Sequence, residues 1–215
     1  MSALARFWDQ YQEKRLTKAV LPYTLVSLER IHNLYVLARR IENERVPGDV
    51  VECGVYNGGT AAVLSRSATH SDLERKVWLF DSFKGMPDIT ERDGDQAQEY
   101  VGKILGNVEQ VRALLRKTGS DLNRVRVAEG LFKDTFPTVN IRNIALLNID
   151  ADWYESVKIC LEKFYDSVVP GGFVSIDDYG HWQGCREAVD EFFKHRGLSY
   201  TLQKVDYTAR WFQKL

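Results

Sequence analysis

Val50-Val51-Glu52-Cys53-Gly54-Val55-Tyr56-Asn57-Gly58-Gly59-Thr60 passes from an apolar run through a glycine-rich turn into a segment that can start a helix. The apolar run suits a strand buried on both faces. Gly54 lets the backbone turn sharply, and Gly58 with Gly59 lets a ligand approach closely. A helix beginning there turns free amides toward a carboxylate or phosphate. The dinucleotide fingerprint Gly-x-Gly-x-x-Gly is broken at its first position, which Glu52 holds. A carboxylate is a poor match for a pyrophosphate and a good one for the ammonium of an amino-acid-bearing cofactor, so the turn points to S-adenosylmethionine. The next apolar run, residues 77–80, ends at Asp81, where an acid suits hydrogen bonds to ribose hydroxyls. The residues also allow a plainer reading, a structural turn beside a helix-capping Asp81.

Outward from this unit, short apolar runs alternate with helical patterns. Strands are predicted at 50–53, 77–80, 125–128, 144–149 and 173–176, with 201–205 and 210–213 as a terminal pair. Helices are predicted at 59–67, 108–117, 154–167 and 185–195. Before them Leu25, Leu28, Ile31, Leu34, Tyr35, Ala38 and Ile41 recur at spacings near three and four, so the stretch to about Glu44 reads as helical. Pro47-Gly48 closes it, making 1–46 an N-terminal helical cap. Strand–helix alternation predicts an α/β fold: a doubly wound, mostly parallel seven-stranded sheet in one domain, 1–215, with ligands outside the carboxyl ends of the strands. Residues 87–124 are long for a connection, polar first and helical later. Both a lid over the site and a plain surface insertion fit them.

Two strand ends carry clustered acids. Leu146-Leu147-Asn148-Ile149 runs into Asp150-Ala151-Asp152, and Phe173-Val174-Ser175-Ile176 into Asp177-Asp178. Packed carboxylates repel and raise one another's pKa. A divalent cation with oxygen ligands relieves this. Capping of the following helices is the alternative use of these aspartates.

The balance of 29 basic and 30 acidic residues leaves a net charge of −1, and no basic stripe interleaved with aromatics appears, which argues against nucleic acid as a partner. No apolar stretch fits a signal peptide in residues 1–20 or is long enough to span a bilayer, so no membrane partner is expected. Cys53, Cys160 and Cys185 are odd in number and form no CxxC pair, as reduced thiols of a cytoplasmic protein do.

The blocks Glu52–Gly59, Asp81-Ser82-Phe83-Lys84-Gly85-Met86-Pro87, Gly130-Leu131-Phe132-Lys133-Asp134-Thr135-Phe136-Pro137, Asp150–Ser156 and Pro170–Gly180 resemble, in this order, those of the macrocin O-methyltransferase family. The resemblance covers residues 23–193. It implies the class I, Rossmann-like methyltransferase fold, use of S-adenosylmethionine and Mg²⁺, and methylation of sugar hydroxyls on macrolides and related molecules. By resemblance Asp150, Asp177 and Asp178 hold the metal. Glu52, Cys53, Gly54, Val55, Tyr56 and Gly58, with Asp81, Ser82, Phe83 and Gly85, form the cofactor loops, and Asp150 borders the cofactor as well. Tyr23-Thr24 is similar to a segment that closes over it. The chain departs from the antibiotic-modifying enzymes in being shorter and in having no histidine within 87–124, where some members place a catalytic one. Gly180-His181-Trp182-Gln183-Gly184 is closer to bacterial members of unknown acceptor, expected to act on glycans or nucleotide-linked sugars. A homodimer is the expected assembly.

For methyl transfer from a sulfonium, a sugar hydroxyl must lose its proton. A bound divalent ion assists by lowering the hydroxyl's pKa. Asp152 is the first candidate to take the proton, and its other reading is N-cap of the helix beginning near Trp153. His181 is the second candidate, suited by its ordinary pKa, and its other reading is a loop histidine without chemistry. Trp153 and Trp182 either wall a sugar face or pack inside. Lys133 and Asp134 are singled out by the resemblance alone. Three further classes stay open on the residues: a catechol-type small-molecule O-methyltransferase, a nicotinamide-dependent oxidoreductase, opposed by Glu52, and a non-catalytic sheet domain used for interaction, which would not need four acids at strand ends.

Overall fold

The apolar runs form the strands expected of them. In the computed structural model, which describes residues 3–69 and 71–215, they are β1 (Asp49–Cys53), β2 (Val77–Asp81), β3 (Val125–Glu129), β4 (Ile144–Ile149) and β5 (Val168–Ile176), followed by β6 (Gln203–Lys204) and β7 (Arg210–Gln213). They make one seven-stranded sheet in the order β3-β2-β1-β4-β5-β7-β6. The first five pair in parallel, while β7 runs antiparallel to β5 and β6 antiparallel to β7. Met1, Ser2 and His70 lie outside the described residues, including the first two of the expected 1–46 cap.

Alternation along the strands feeds two cores. Val51, Cys53, Phe80, Leu147 and Ile149 face one side of the sheet and pack under α6 (Tyr154–Phe164) and α7 (Gln183–Arg196). Val50, Val77, Leu79 and Leu146 face the other, under α2 (Leu28–Asn43), α3 (Gly59–Thr69) and α4 (Val108–Lys117). A short helix, α5 (Phe132–Thr135), follows β3. The chain order switches between β1 and β4, the place where such sheets open a crevice.

Three expectations shift at element edges. The N-terminal stretch is two helices, α1 (Ala3–Val20) and α2, because a 3₁₀ turn at Leu21–Tyr23 containing Pro22 interrupts it and Ser27 caps α2 by accepting the Arg30 amide at 3.2 Å. β5 starts at Val168, ahead of the expected 173, since Pro170-Gly171-Gly172 only irregularises it. Of residues 201–205 only Gln203–Lys204 pair.

The stretch 87–124 divides in two. Its second half is the crossover helix α4, which buries Val111, Leu114 and Leu115 against the α3 side. A parallel β2–β3 connection requires such a helix. Its first half lies over the carboxyl edge of the sheet and contains the 3₁₀ segment Asp95–Tyr100. Among the described residues no helix is long and apolar enough to cross a membrane.

Candidate active site

The ladder continues one residue beyond the central strands. Gly54 N–H donates to Phe80 O (2.9 Å), Asp150 N–H to Cys53 O (2.8 Å) and Asp177 N–H to Ile149 O (2.9 Å). Gly54, Asp150 and Asp177 therefore stand side by side at the carboxyl edge. Gly54 is obligatory: its φ is +90°, and a Cβ there would overlap the Asp150 carbonyl oxygen. Above this edge lies a cavity of about 810 Å³.

One end of the cavity is made by the turns after β1, β2 and β3. Asp81 staples the first two together. Its Oδ2 accepts the Val55 and Tyr56 amides at 2.7 and 2.8 Å, and its Oδ1 accepts the Phe83 amide at 2.7 Å. Of the residues expected around the cofactor, Thr24, Gly54, Val55, Tyr56, Asp81, Ser82, Gly85 and Asp150 form the wall. Tyr23, Glu52, Cys53, Gly58 and Phe83 stand behind it. Glu52 is fully buried one layer below; Asn148 Nδ2 donates to its Oε1 at 3.1 Å, and Oε2 has no hydrogen-bond partner. Burial raises the Glu52 pKa to about 8, against the opposing hydrogen bonds of Thr60 and Asn148.

The acids converge at the other end. Oxygens of Asp150, Asp177 and Asp178 all lie within 4.8 Å of one another. Asp177 and Asp178 are only 4% and 8% exposed, and Asp178 Oδ2 is buried without a partner. Burial, then neighbouring carboxylates, hold Asp150 and Asp178 well above the ordinary aspartate pKa. Burial brings Asp177 to about 6, with the Arg30 guanidinium opposing. Arg30, from α2, pairs with Asp177 Oδ2 and at 3.1 Å with Asp206.

Asp152 adopts a left-handed φ of +55° and turns its carboxylate inward, where Oδ1 accepts Trp182 Nε1–H at 3.0 Å. Burial and then the Asp177 charge lift its pKa to about 7, opposed by hydrogen bonds with Trp182 and Asp178. The N-cap reading of Asp152 does not hold. Trp153 occupies the N-cap position, and the Tyr154 amide is taken instead by Asp93 Oδ1 at 2.6 Å, from the segment that crosses the cavity. The same segment accepts Trp153 Nε1–H on Pro87 O at 3.1 Å. Nor do Asp177 and Asp178 cap α7 with their side chains, since it begins five residues on, after Trp182, with no side-chain cap. Trp153 (1% exposed), Trp182 and Tyr100 form an edge-to-face aromatic wall beside Asp152, with centroids 4.9 and 5.4 Å apart. His181 sits exposed on the cavity rim, its ring 4.4 Å from Trp182.

Sequence reasoning missed Arg30 and Asp93, and it had no physical account of the wall that follows β3. There Gly130, Leu131, Phe132 and Lys133 face the cavity from a strand-end glycine with φ +145°. That glycine was a usable signal. Arg30 and Asp93 meet partners 147 and 61 residues away, and no local spacing encodes such contacts.

Sheet order, switch point and acid-lined edge are those of class I methyltransferases, and the profile of the family described as Macrocin-O-methyltransferase (TylF) matches residues 5–214. The chain belongs to the macrocin O-methyltransferase family. It is 36% identical over 194 residues to the 8-demethyl-8-(2,3-dimethoxy-alpha-L-rhamnosyl)-tetracenomycin-C 4'-O-methyltransferase of Streptomyces olivaceus, covering 87% of this chain and 74% of that one. It is 31% identical to the mycinamicin III 3''-O-methyltransferase of Micromonospora griseorubida, covering 94% and 82%. The solved structure of the O-methyltransferase NovP superposes with a TM-score of 0.81 at 32% identity, covering 89% of this chain and 82% of that one. The enzyme is thus an S-adenosylmethionine-dependent O-methyltransferase, and the nicotinamide-dependent alternative is set aside.

Proposed function

We propose that the enzyme methylates a hydroxyl of a sugar or glycosylated small molecule, with Mg²⁺ held by Asp150, Asp177 and Asp178 and with Asp152 as general base. The observation that carries the reading is the convergence of three carboxylates, two of them buried and one with an orphaned oxygen, at the edge of a methyltransferase cavity. Their donor set is all oxygen, which suits a hard divalent ion. When bound, the methyl donor supplies an electrophilic methyl group and the ion supplies Lewis acidity toward a hydroxyl.

The chain's own residues supply the rest. Asp81 fixes the two donor loops against each other. Glu52, buried beneath them, keeps one oxygen without a hydrogen-bond partner. Asp152 takes the acceptor proton on its carboxylate. Trp182 fixes that carboxylate, and with the exposed Tyr100, backed by the buried Trp153, gives an apolar edge for a sugar ring and whatever it carries. The relatives named above are rhamnosyl and mycinamicin methyltransferases, which supports a sugar-bearing acceptor. Residues 87–107 close the cavity from above, and we read them as a lid anchored through Asp93 and Pro87 to the start of α6.

The test is methyl transfer from S-adenosylmethionine to a panel of rhamnosides and other glycosides, with Mg²⁺ and with excess EDTA. Turnover that needs the metal, and is lost in the Asp177→Asn, Asp178→Asn double variant while S-adenosylhomocysteine still binds, supports the reading. Full turnover in EDTA refutes the metal, and methylation of catechols but no glycoside refutes the acceptor class.

A further inference from the structure

Among the described residues, Arg30 is the one charged group on the cavity wall that comes from the N-terminal cap, and the reaction scheme above gives it no task. Its guanidinium pairs with Asp177 through Oδ2 alone. Among the described residues, Asp177 Oδ1 accepts no hydrogen bond. The arginine also has an ion pair behind it: its Nε lies 3.1 Å from Asp206 Oδ2, without hydrogen-bond geometry. Asp206 is clamped in turn, by Ser27 Oγ at 2.8 Å and by the Thr208 and Ala209 amides, both at 2.9 Å. Arg30 and Ser27 both come from the start of α2, and Asp206 from the β6–β7 turn, so Arg30 is held by contacts that do not involve Asp150 or Asp178.

From this geometry we propose that Arg30 is a positioning residue of the cation site, holding Asp177 by one oxygen from outside so that the other stays turned to the ion. The inference rests on the Mg²⁺ reading above. An opposite role exists, a surrogate cation that the metal must expel. One observation favours positioning: the ion pair with Asp206 gives Arg30 a place that does not depend on the triad. Partners that orient a ligand in this way typically govern metal affinity by 10- to 100-fold. The arrangement also makes the cap part of the metal site, since the donor-side residue Thr24 and the metal-side Arg30 flank the same turn into α2.

The two roles give opposite signs in a titration with Mg²⁺ alone, read by calorimetry and by thermal shift. Arg30→Met is expected to weaken Mg²⁺ binding by about 10- to 100-fold, with Arg30→Lys intermediate and S-adenosylhomocysteine affinity unchanged. Arg40→Met, on the same helix but stacked over Phe173 and Trp211, should leave Mg²⁺ binding at the wild-type level. Should Arg30→Met fail to fold, Asp206→Asn removes the rear anchor without touching the triad and should weaken Mg²⁺ in the same direction. Equal or tighter Mg²⁺ binding by Arg30→Met, or by Asp206→Asn in its place, overturns the positioning role. Absence of any Mg²⁺ response in the wild type overturns the metal reading as well, and so separates the two failures.

Discussion

Replacing Glu52 by glutamine tests the least expected electrostatic feature of the enzyme, a carboxyl group buried beneath the donor loops. Glutamine keeps the acceptor that Asn148 uses and removes the charge. In the folded enzyme the Glu52 pKa is raised from 4.5 to about 8 by burial, so the fold holds this proton more tightly than the unfolded chain does. The associated stability is fully present below pH 4.5 and is lost as pH rises toward 8. Each pH unit in that window costs about 1.4 kcal/mol, or about 5 kcal/mol across it, and the full burial of the group leaves no solvent screening to discount. Asp150, Asp152, Asp177 and Asp178 push the wild type in the same direction, so the informative quantity is the difference between the Glu52→Gln variant and wild type. Urea unfolding from pH 5 to 9 should show the variant gaining on wild type up to about pH 8 and the gap then levelling. Binding offers a second readout. If Glu52 faces the donor's ammonium, calorimetry in buffers of different ionisation enthalpy should show proton release on S-adenosylmethionine binding near pH 7 in the wild type and none in Glu52→Gln. A stability difference that is flat with pH, or that shrinks toward pH 8, would refute the reasoning.

Asp152→Asn should keep Mg²⁺ and S-adenosylhomocysteine binding while lowering kcat by about 10²-fold or more; near-normal turnover there, with an inactive His181→Ala, would move the base to His181. Asp93→Ala strands the Tyr154 and Thr90 amides and should cost about 2 kcal/mol in denaturant unfolding, a loss that an unchanged midpoint would contradict. Gly54→Ala drives a Cβ into the Asp150 carbonyl at a φ of +90°, and soluble, donor-binding protein from that variant would show the β1 turn to be far softer than its packing implies.

The parallel core was legible because the central strands are largely apolar on both faces, and the shortness of the continuous run separated 144–149 from the longer helical patterns around it. The donor turn was legible for a different reason: Gly54 and the acids beyond the strands are residues that strands seldom end on by chance. Burial depth was not legible. Glu52 occupies the first position of a familiar glycine motif, yet its side chain is fully buried beside Asn148 and Thr60, below the wall. The nature of 87–124 was obscured because its polar start and its amphipathic end serve different purposes, one over the cavity and one as the β2–β3 crossover. Arg30 and Asp93 were invisible for want of any local pattern, since each is defined by a partner that only the folded topology brings near.

Asp150 and Asp177 follow directly on paired residues of two adjacent parallel strands, Ile149 and Ile176. Their backbones are therefore set apart by the hydrogen-bonding pitch of the sheet, about 4.8 Å. The gauge of the proposed ion cage is in this sense a repeat distance of the peptide backbone, and side-chain evolution around it can alter charge, access and acceptor shape without retuning the opening. An enzyme built this way can change what it methylates while inheriting unchanged the ruler by which it measures its metal.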